Sequence, residues 1–142
     1  MSESLADAVV MKTYEAVTRG IRVRVEPAFL EDQSVPEDGQ YFWAYTIQIE
    51  NLGTETVQLK TRYWRITDST GQIQEVRGAG VVGEQPLLRP GDSFEYTSGA
   101  PLPTPSGFMG GFYQMQSAGG ELFNVEIPTF SLDSPHQDYS LH

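Results

Sequence analysis

From Tyr14 onward the chain alternates apolar and polar residues with a period of two. Ile21, Val23 and Val25 alternate with Arg22, Arg24 and Glu26, the pattern of a half-buried strand whose charged face meets water. Pro27 has no amide hydrogen to give to a ladder, so this strand is expected to lie at an edge or to end there. Tyr41 to Asn51 is the strongest strand. Tyr41, Trp43, Tyr45, Ile47 and Ile49 share one face, which the pattern makes the core face.

A turn follows at Asn51-Leu52-Gly53-Thr54-Glu55, where Gly53 can take positive φ and Asn51 can bond its own backbone. Val57, Leu59, Thr61 and Tyr63 then alternate with Gln58, Lys60 and Arg62 as the returning strand. Trp64 and Ile66 fall on the opposite face from Tyr63. Either the strand is covered on both sides, or a bulge shifts its register near Arg65.

Shorter strands are expected at Ile73–Val76, Ser93–Ser98, Phe108–Gln116 and Glu121–Ile127. Tight turns at Asp68-Ser69-Thr70-Gly71, Pro90-Gly91-Asp92 and Ser117–Gly120 separate them. Pro101–Gly107 is a rigid, helix-free connection. Gly110 and Gly111 allow a bulge or a close backbone approach, and Pro128 is expected to close the last strand, whose core side is Phe123, Val125 and Ile127. About seven strands with regularly spaced turns predict an all-β, antiparallel β-sandwich, with a small barrel as the alternative. Residues 1–13 form a loose leader, with room for a helical turn or two between Leu5 and Val17. Residues 14–132 form the domain, and 133–142 a polar tail.

Composition adds constraints. The 142 residues suit one domain. The absence of cysteine excludes disulfides and thiolate chemistry and fits a reducing compartment. A net charge of −10 makes nucleic acid and anionic membrane poor partners. Neither a signal sequence nor a spanning stretch is evident, so a cytoplasmic location is expected. Strand edges leave a homodimer open.

Chemistry is sparse. The acidic loop Glu31, Asp32, Glu37 and Asp38 matches no EF-hand spacing. His136, with Asp133 and Asp138, offers a transition-metal set in the tail, and Arg22 with Arg24 an anion site on a face more simply explained by solvation. Ser98 and Ser106 have no evident base, because both histidines, His136 and His142, lie in the tail. A phosphate-ester hydrolase would need a metal site these residues do not assemble.

The segment Gly78-Ala79-Gly80-Val81-Val82-Gly83 has the glycine spacing of a dinucleotide loop. Pro86 and Pro90 prevent the helix that the dinucleotide fold requires after it. What remains is a loop whose amides could hold a pyrophosphate weakly, with Arg77 or Arg89 assisting. The ligand-binding candidates are therefore Gly78, Gly80, Gly83, Arg77 and Arg89.

Several motifs in order carry a resemblance: Trp64-Arg65-Ile66-Thr67-Asp68, the run from Glu75 to Pro86, Pro90-Gly91, Tyr96–Gly99, Thr104–Gly107 and Ile127–Leu132. From about Tyr14 to Leu132 the chain resembles the bacterial ApaG family, also called CorD. The resemblance implies an immunoglobulin-like or fibronectin type III-like sandwich. It further implies a protein-interaction module, since similar domains occur in an F-box protein and a polymerase δ-interacting protein. It brings a link with cobalt tolerance and magnesium efflux, and a suggested pyrophosphate site at Gly78, Gly80 and Gly83. Many members carry His where this chain has Tyr63. Two readings follow: a non-enzymatic binding module without a cofactor, contacting a protein through the segment Trp64–Gly107 or a sheet edge, or a small-ligand sensor for nucleotide or divalent cation.

Overall fold

Alternation along the chain becomes two antiparallel sheets packed face to face. The computed structural model describes residues 12–137. The strands are β1 (Tyr14–Thr18), β2 (Ile21–Phe29), β3 (Tyr41–Asn51), β4 (Val57–Asp68), β5 (Ile73–Ala79), β6 (Leu87–Leu88), β7 (Ser93–Leu102), β8 (Gly107–Ser117) and β9 (Leu122–Leu132). One sheet has the order β1-β2-β3-β7; the other has β5-β4-β8-β9, with β6 pairing the start of β4. The sandwich is as expected. The strand count among the described residues is nine rather than about seven, because Tyr14–Thr18 and the two-residue β6 add to those foreseen. Of the helical turn expected between Leu5 and Val17, the described part is strand β1, and residues 5–11 lie outside the described residues.

The interior forms where the two inner faces meet. Val23, Val25, Ile47 and Ile49 of the first sheet and Leu59, Tyr113, Met115 and Val125 of the second are fully enclosed. Each large apolar side chain of this kind contributes roughly 1.5–3 kcal/mol by leaving water. Tyr45, Trp64 and Phe130 form an aromatic cluster across the two sheets, with ring centroids 5.3–6.0 Å apart.

Two bulges explain the parity breaks. Leu59 pairs Met115 while Thr61 pairs Gln114, so Lys60 is the extra residue. That bulge resolves the conflict between Tyr63 and Trp64, but it lies five residues before Arg65. It also turns Arg62 to the inner face beside Trp64 and Ile66. The second bulge places Pro128 and Thr129 opposite the Gly110 region, where Met109 pairs Phe130 and Gly111 pairs Ile127. Strand β9 therefore continues past Pro128 to Leu132, because a bulged residue needs no ladder donor. Pro27 lies within β2, beyond the last residue paired to β1. Pro101 lies within the edge strand β7 rather than in the connection after it.

Asn51, fully buried, closes the β3–β4 turn. Its amide donates to the carbonyls of Glu55 (2.8 Å) and Leu88 (3.0 Å), and its Oδ1 accepts from Gly53 N (2.9 Å). The chain after β9 is also held. Trp43 Nε1 donates to the Asp133 carbonyl at 2.8 Å, and Ser134 Oγ donates to the Pro105 carbonyl at 2.6 Å. No helix among the described residues is long and apolar enough to cross a membrane.

Candidate functional site

The three glycines of the sequence motif have three different roles. Gly78 lies within β5 opposite Arg62, and a Cβ there would stand 2.8 Å from the guanidinium. Gly80 has φ +62, and a Cβ on it would meet the Glu84 carbonyl oxygen at 2.2 Å. Gly83 has φ +83 and open space around it. Val81 and Glu84 exchange both backbone hydrogen bonds at 2.8 Å, closing a hairpin whose two central residues, Val82 (φ 42) and Gly83, both take positive φ. The Gly80 amide donates to the Lys60 carbonyl at 2.9 Å. The amides of Gly80, Val81 and Glu84 are therefore bonded within the chain.

The two arginines named with the glycines are elsewhere. Arg77 lies 4.4 Å over the Tyr63 ring, which stacks on Phe112 at 4.9 Å, and the Tyr63 hydroxyl donates to Glu75 at 2.5 Å. Arg89 pairs with Asp92 at 3.6 Å in the turn before β7. Arg62, which the alternation groups with the polar Gln58 and Lys60, is the one that meets the motif. Its Nη1 donates to the carbonyls of Ala79 (2.9 Å) and Gly80 (2.8 Å).

Arg62 stands at the mouth of the sandwich. On the opposite side β9 meets β1 and β2, and the Glu126 amide donates to Thr18 Oγ1 at 3.1 Å. Between β5 and β7 the sheets stay apart, leaving a cleft of about 320 Å³. Its apolar wall includes Trp64, Ile66, Val76 and Val81; its polar groups come from Arg62, Tyr45, Ser98 and Gln74. This mixture, an apolar wall with a few placed polar groups, is the usual constitution of a binding cleft.

The hydroxyls beneath it are held neutral. Tyr96 and Tyr113 share a hydrogen bond of 2.6 Å in the core. Burial pushes both phenols well up, and Tyr45 as well, while the nearby Arg62 charge pulls all three down to a smaller extent. The cleft therefore offers one permanent cation and neutral hydroxyls, a set suited to holding an acceptor or an anion beside an apolar body. The parity conflict at Tyr63–Trp64 was the one sequence signal that could have placed Arg62 here.

The remaining candidates are dispersed. Glu31 and Asp32 begin one single-turn 3-10 helix, and Glu37 and Asp38 lie in another. His136 Nε2 sits 3.1 Å from the Glu31 carboxylate, with its ring 5.6 Å from Phe29. Asp133 takes the Ser131 hydroxyl at 2.8 Å, and Asp138 and His142 lie outside the described residues. Among the described residues no three of His, Asp and Glu converge as a metal site. Arg22 pairs with Glu50, and Arg24 with Glu15 at 3.0 Å.

Comparison with known proteins places this geometry in a family. The ApaG domain model matches residues 31–117. Protein ApaG of Parvibaculum lavamentivorans is 63% identical over 129 residues, which cover 91% of this chain and 99% of that protein. Protein ApaG of Rhodospirillum centenum is 65% identical over 123 residues, 87% of this chain and 95% of that one. Among solved structures, the putative ApaA protein from Bordetella pertussis superposes with a TM-score of 0.79 at 47% identity, covering 87% of this chain and 97% of that chain. The chain belongs to the ApaG domain family.

Proposed function

We propose that this member of the ApaG domain family is a non-enzymatic binding module that engages a partner protein at the mouth between β5 and β7. One observation carries the reading: the sandwich is closed along β1 and β9 but open along β5 and β7, where an apolar cleft contains a single arginine. A rigid scaffold that displays a recessed site between two strand edges suits recognition. The cleft's hydroxyls lie under a cation and beside no histidine, so the set orients a guest without an evident proton acceptor for chemistry. A cytoplasmic setting belongs to the same reading and draws support from the cysteine-free composition.

The alternative is a sensor of nucleotide or divalent cation at the glycine segment, which would give the family's link with cobalt and magnesium a direct basis. It has less support, because the amides of Gly80, Val81 and Glu84 already have partners inside the chain.

Site-specific photo-crosslinking separates the two. A crosslinker replacing Gln74 or Ser98 at the mouth is expected to trap a defined protein, while one replacing Glu15 at the closed side traps none. Equal trapping from both sides would remove the mouth as the site. A melting temperature raised by ATP, Mg²⁺ or Co²⁺ would favour the sensor, since a ligand that binds only the native state stabilises it by mass action.

A further inference from the structure

The chain has nine cationic side chains and a net charge of −10. Five of the nine sit against carboxylates: Lys12 with Asp133, Arg19 with Glu121, Arg22 with Glu50, Arg24 with Glu15 and Arg89 with Asp92. The other four are Lys60, Arg62, Arg65 and Arg77, and none has a carboxylate within 4 Å among the described residues. All four lie on β4 and β5. In a protein with a surplus of acid, the cations without a carboxylate partner among the described residues gather beside one sheet edge.

That edge is also the one with the fewest guards. Of the four terminal strands, β1 and β9 meet each other at the closed side. Strand β7 carries Pro101, which interrupts a ladder. Strand β5 has no proline, and five of its seven residues are exposed. It borders the cleft through Gln74 and Val76 and holds Arg77 on the outer face.

We infer that the β5 edge takes an extended acidic segment of a partner protein as an added strand. The inference rests on the mouth being the binding site. Main-chain hydrogen bonds to β5 supply the register, and alternate side chains of the guest point to opposite faces. One row enters the cleft toward Arg62; the other passes the Arg77–Tyr63–Phe112 stack. A carboxylate in the inner row meets Arg62 in a cleft lined by no acid; one in the outer row meets Arg77, with the neighbouring Glu75 carboxylate already taken by the Tyr63 hydroxyl. The distant acids matter less at this range, because salt screens charges beyond about 8 Å at physiological ionic strength. A phosphate polymer suffers more from the same surplus, since its charges extend over the whole surface.

The test is selection of random decapeptides displayed on phage against the intact chain, followed by amide shift mapping with the synthesised winners. Selected peptides are expected to be rich in Asp and Glu and to shift the amides of Ile73–Ala79. Methylating alternate peptide nitrogens of the guest should abolish binding. Arg62→Gln and Arg77→Gln should each weaken it about tenfold, as loss of a charge-assisted contact does. Arg77 is exposed, so its variant guards against a folding defect in the other. Winners without acidic residues that still shift β5 or β7 would sink the acidic strand while keeping the mouth. Winners that bind elsewhere, or no winners, would sink both. Tighter binding of a single-stranded oligonucleotide at the same amides would replace the protein partner with nucleic acid. A dimer through β5 in sedimentation would make the guest a second copy.

Discussion

The guanidinium of Arg62 lies across the bare backbone of Gly78, where a Cβ would stand 2.8 Å from Arg62 Cζ. The contact joins two facts that look unrelated in the sequence. The Lys60 bulge turns Arg62 inward, and the glycine opposite leaves room for it to reach the carbonyls of Ala79 and Gly80. Glycine substitutions should therefore separate by what they strike. Gly78→Ala meets the movable end of a side chain, so its stability should change by under about 1 kcal/mol. Gly80→Ala meets the Glu84 carbonyl oxygen at 2.2 Å with φ +62, and Gly111→Ala meets the Tyr63 carbonyl oxygen at 1.9 Å. Each should cost about 2–4 kcal/mol, since backbone cannot step aside. Urea unfolding of the three variants gives the ranking, and equal losses would refute it.

How much of this was legible follows from the same residues. Period-two alternation marked the sheets because side chains of a half-buried strand must divide between core and water, as Val23 and Ile47 do. The Arg62 site was hidden because an inserted residue at Lys60 reverses parity without changing composition. Pro128 looked like a terminus because local sequence does not show that a bulge frees it from donating. The glycine spacing reads as a phosphate loop, while in the fold positive φ with steric demand already calls for glycine at 80 and positive φ alone favours it at 83. The contact of His136 is invisible in local sequence because Glu31 is 105 residues away.

Buried phenols set an alkaline limit. Burial raises Tyr96, Tyr113 and Tyr45 in the folded protein, whereas the unfolded chain titrates near ~10. Below that value both states keep the proton, so these groups contribute their full stability. Above it the unfolded state ionises first, and stability falls by about 1.4 kcal/mol per pH unit for each affected tyrosine. Urea midpoints should be insensitive to these groups up to about pH 10 and drop steeply beyond it, with a shallower drop for Tyr113→Phe. Phenolate absorbance that shows all seven tyrosines ionising together in the native protein would contradict this account.

The segment after β9 contributes to the fold. Removing residues 133–142 takes the Asp133 carbonyl from Trp43 Nε1 and the Ser134 hydroxyl from the Pro105 carbonyl. The indole N–H, buried with Trp43 at 1% exposure, is left without that acceptor. The truncated chain should lose about 1–3 kcal/mol, the usual cost of a stranded buried donor. Guanidinium unfolding followed by tryptophan fluorescence measures it. An unchanged midpoint would mean that water or another carbonyl replaces the lost acceptor.

Val82 provides a way to separate stability from binding. It is a β-branched residue at φ 42, on a hairpin tip, with 55% of its surface exposed. That backbone region is strongly disfavoured for valine and natural for asparagine before glycine. Val82→Asn should therefore raise stability by about 1 kcal/mol, by relieving strain at little cost in burial. Val82 also lines the cleft beside Val81. If the mouth is the binding surface, the stabilised variant should bind the guest less tightly, because an apolar lip has become polar. Thermal unfolding and peptide titration on the same sample examine both halves. A variant more stable and equally tight would assign the strain at Val82 to something other than recognition, and a variant less stable would remove the strain argument itself.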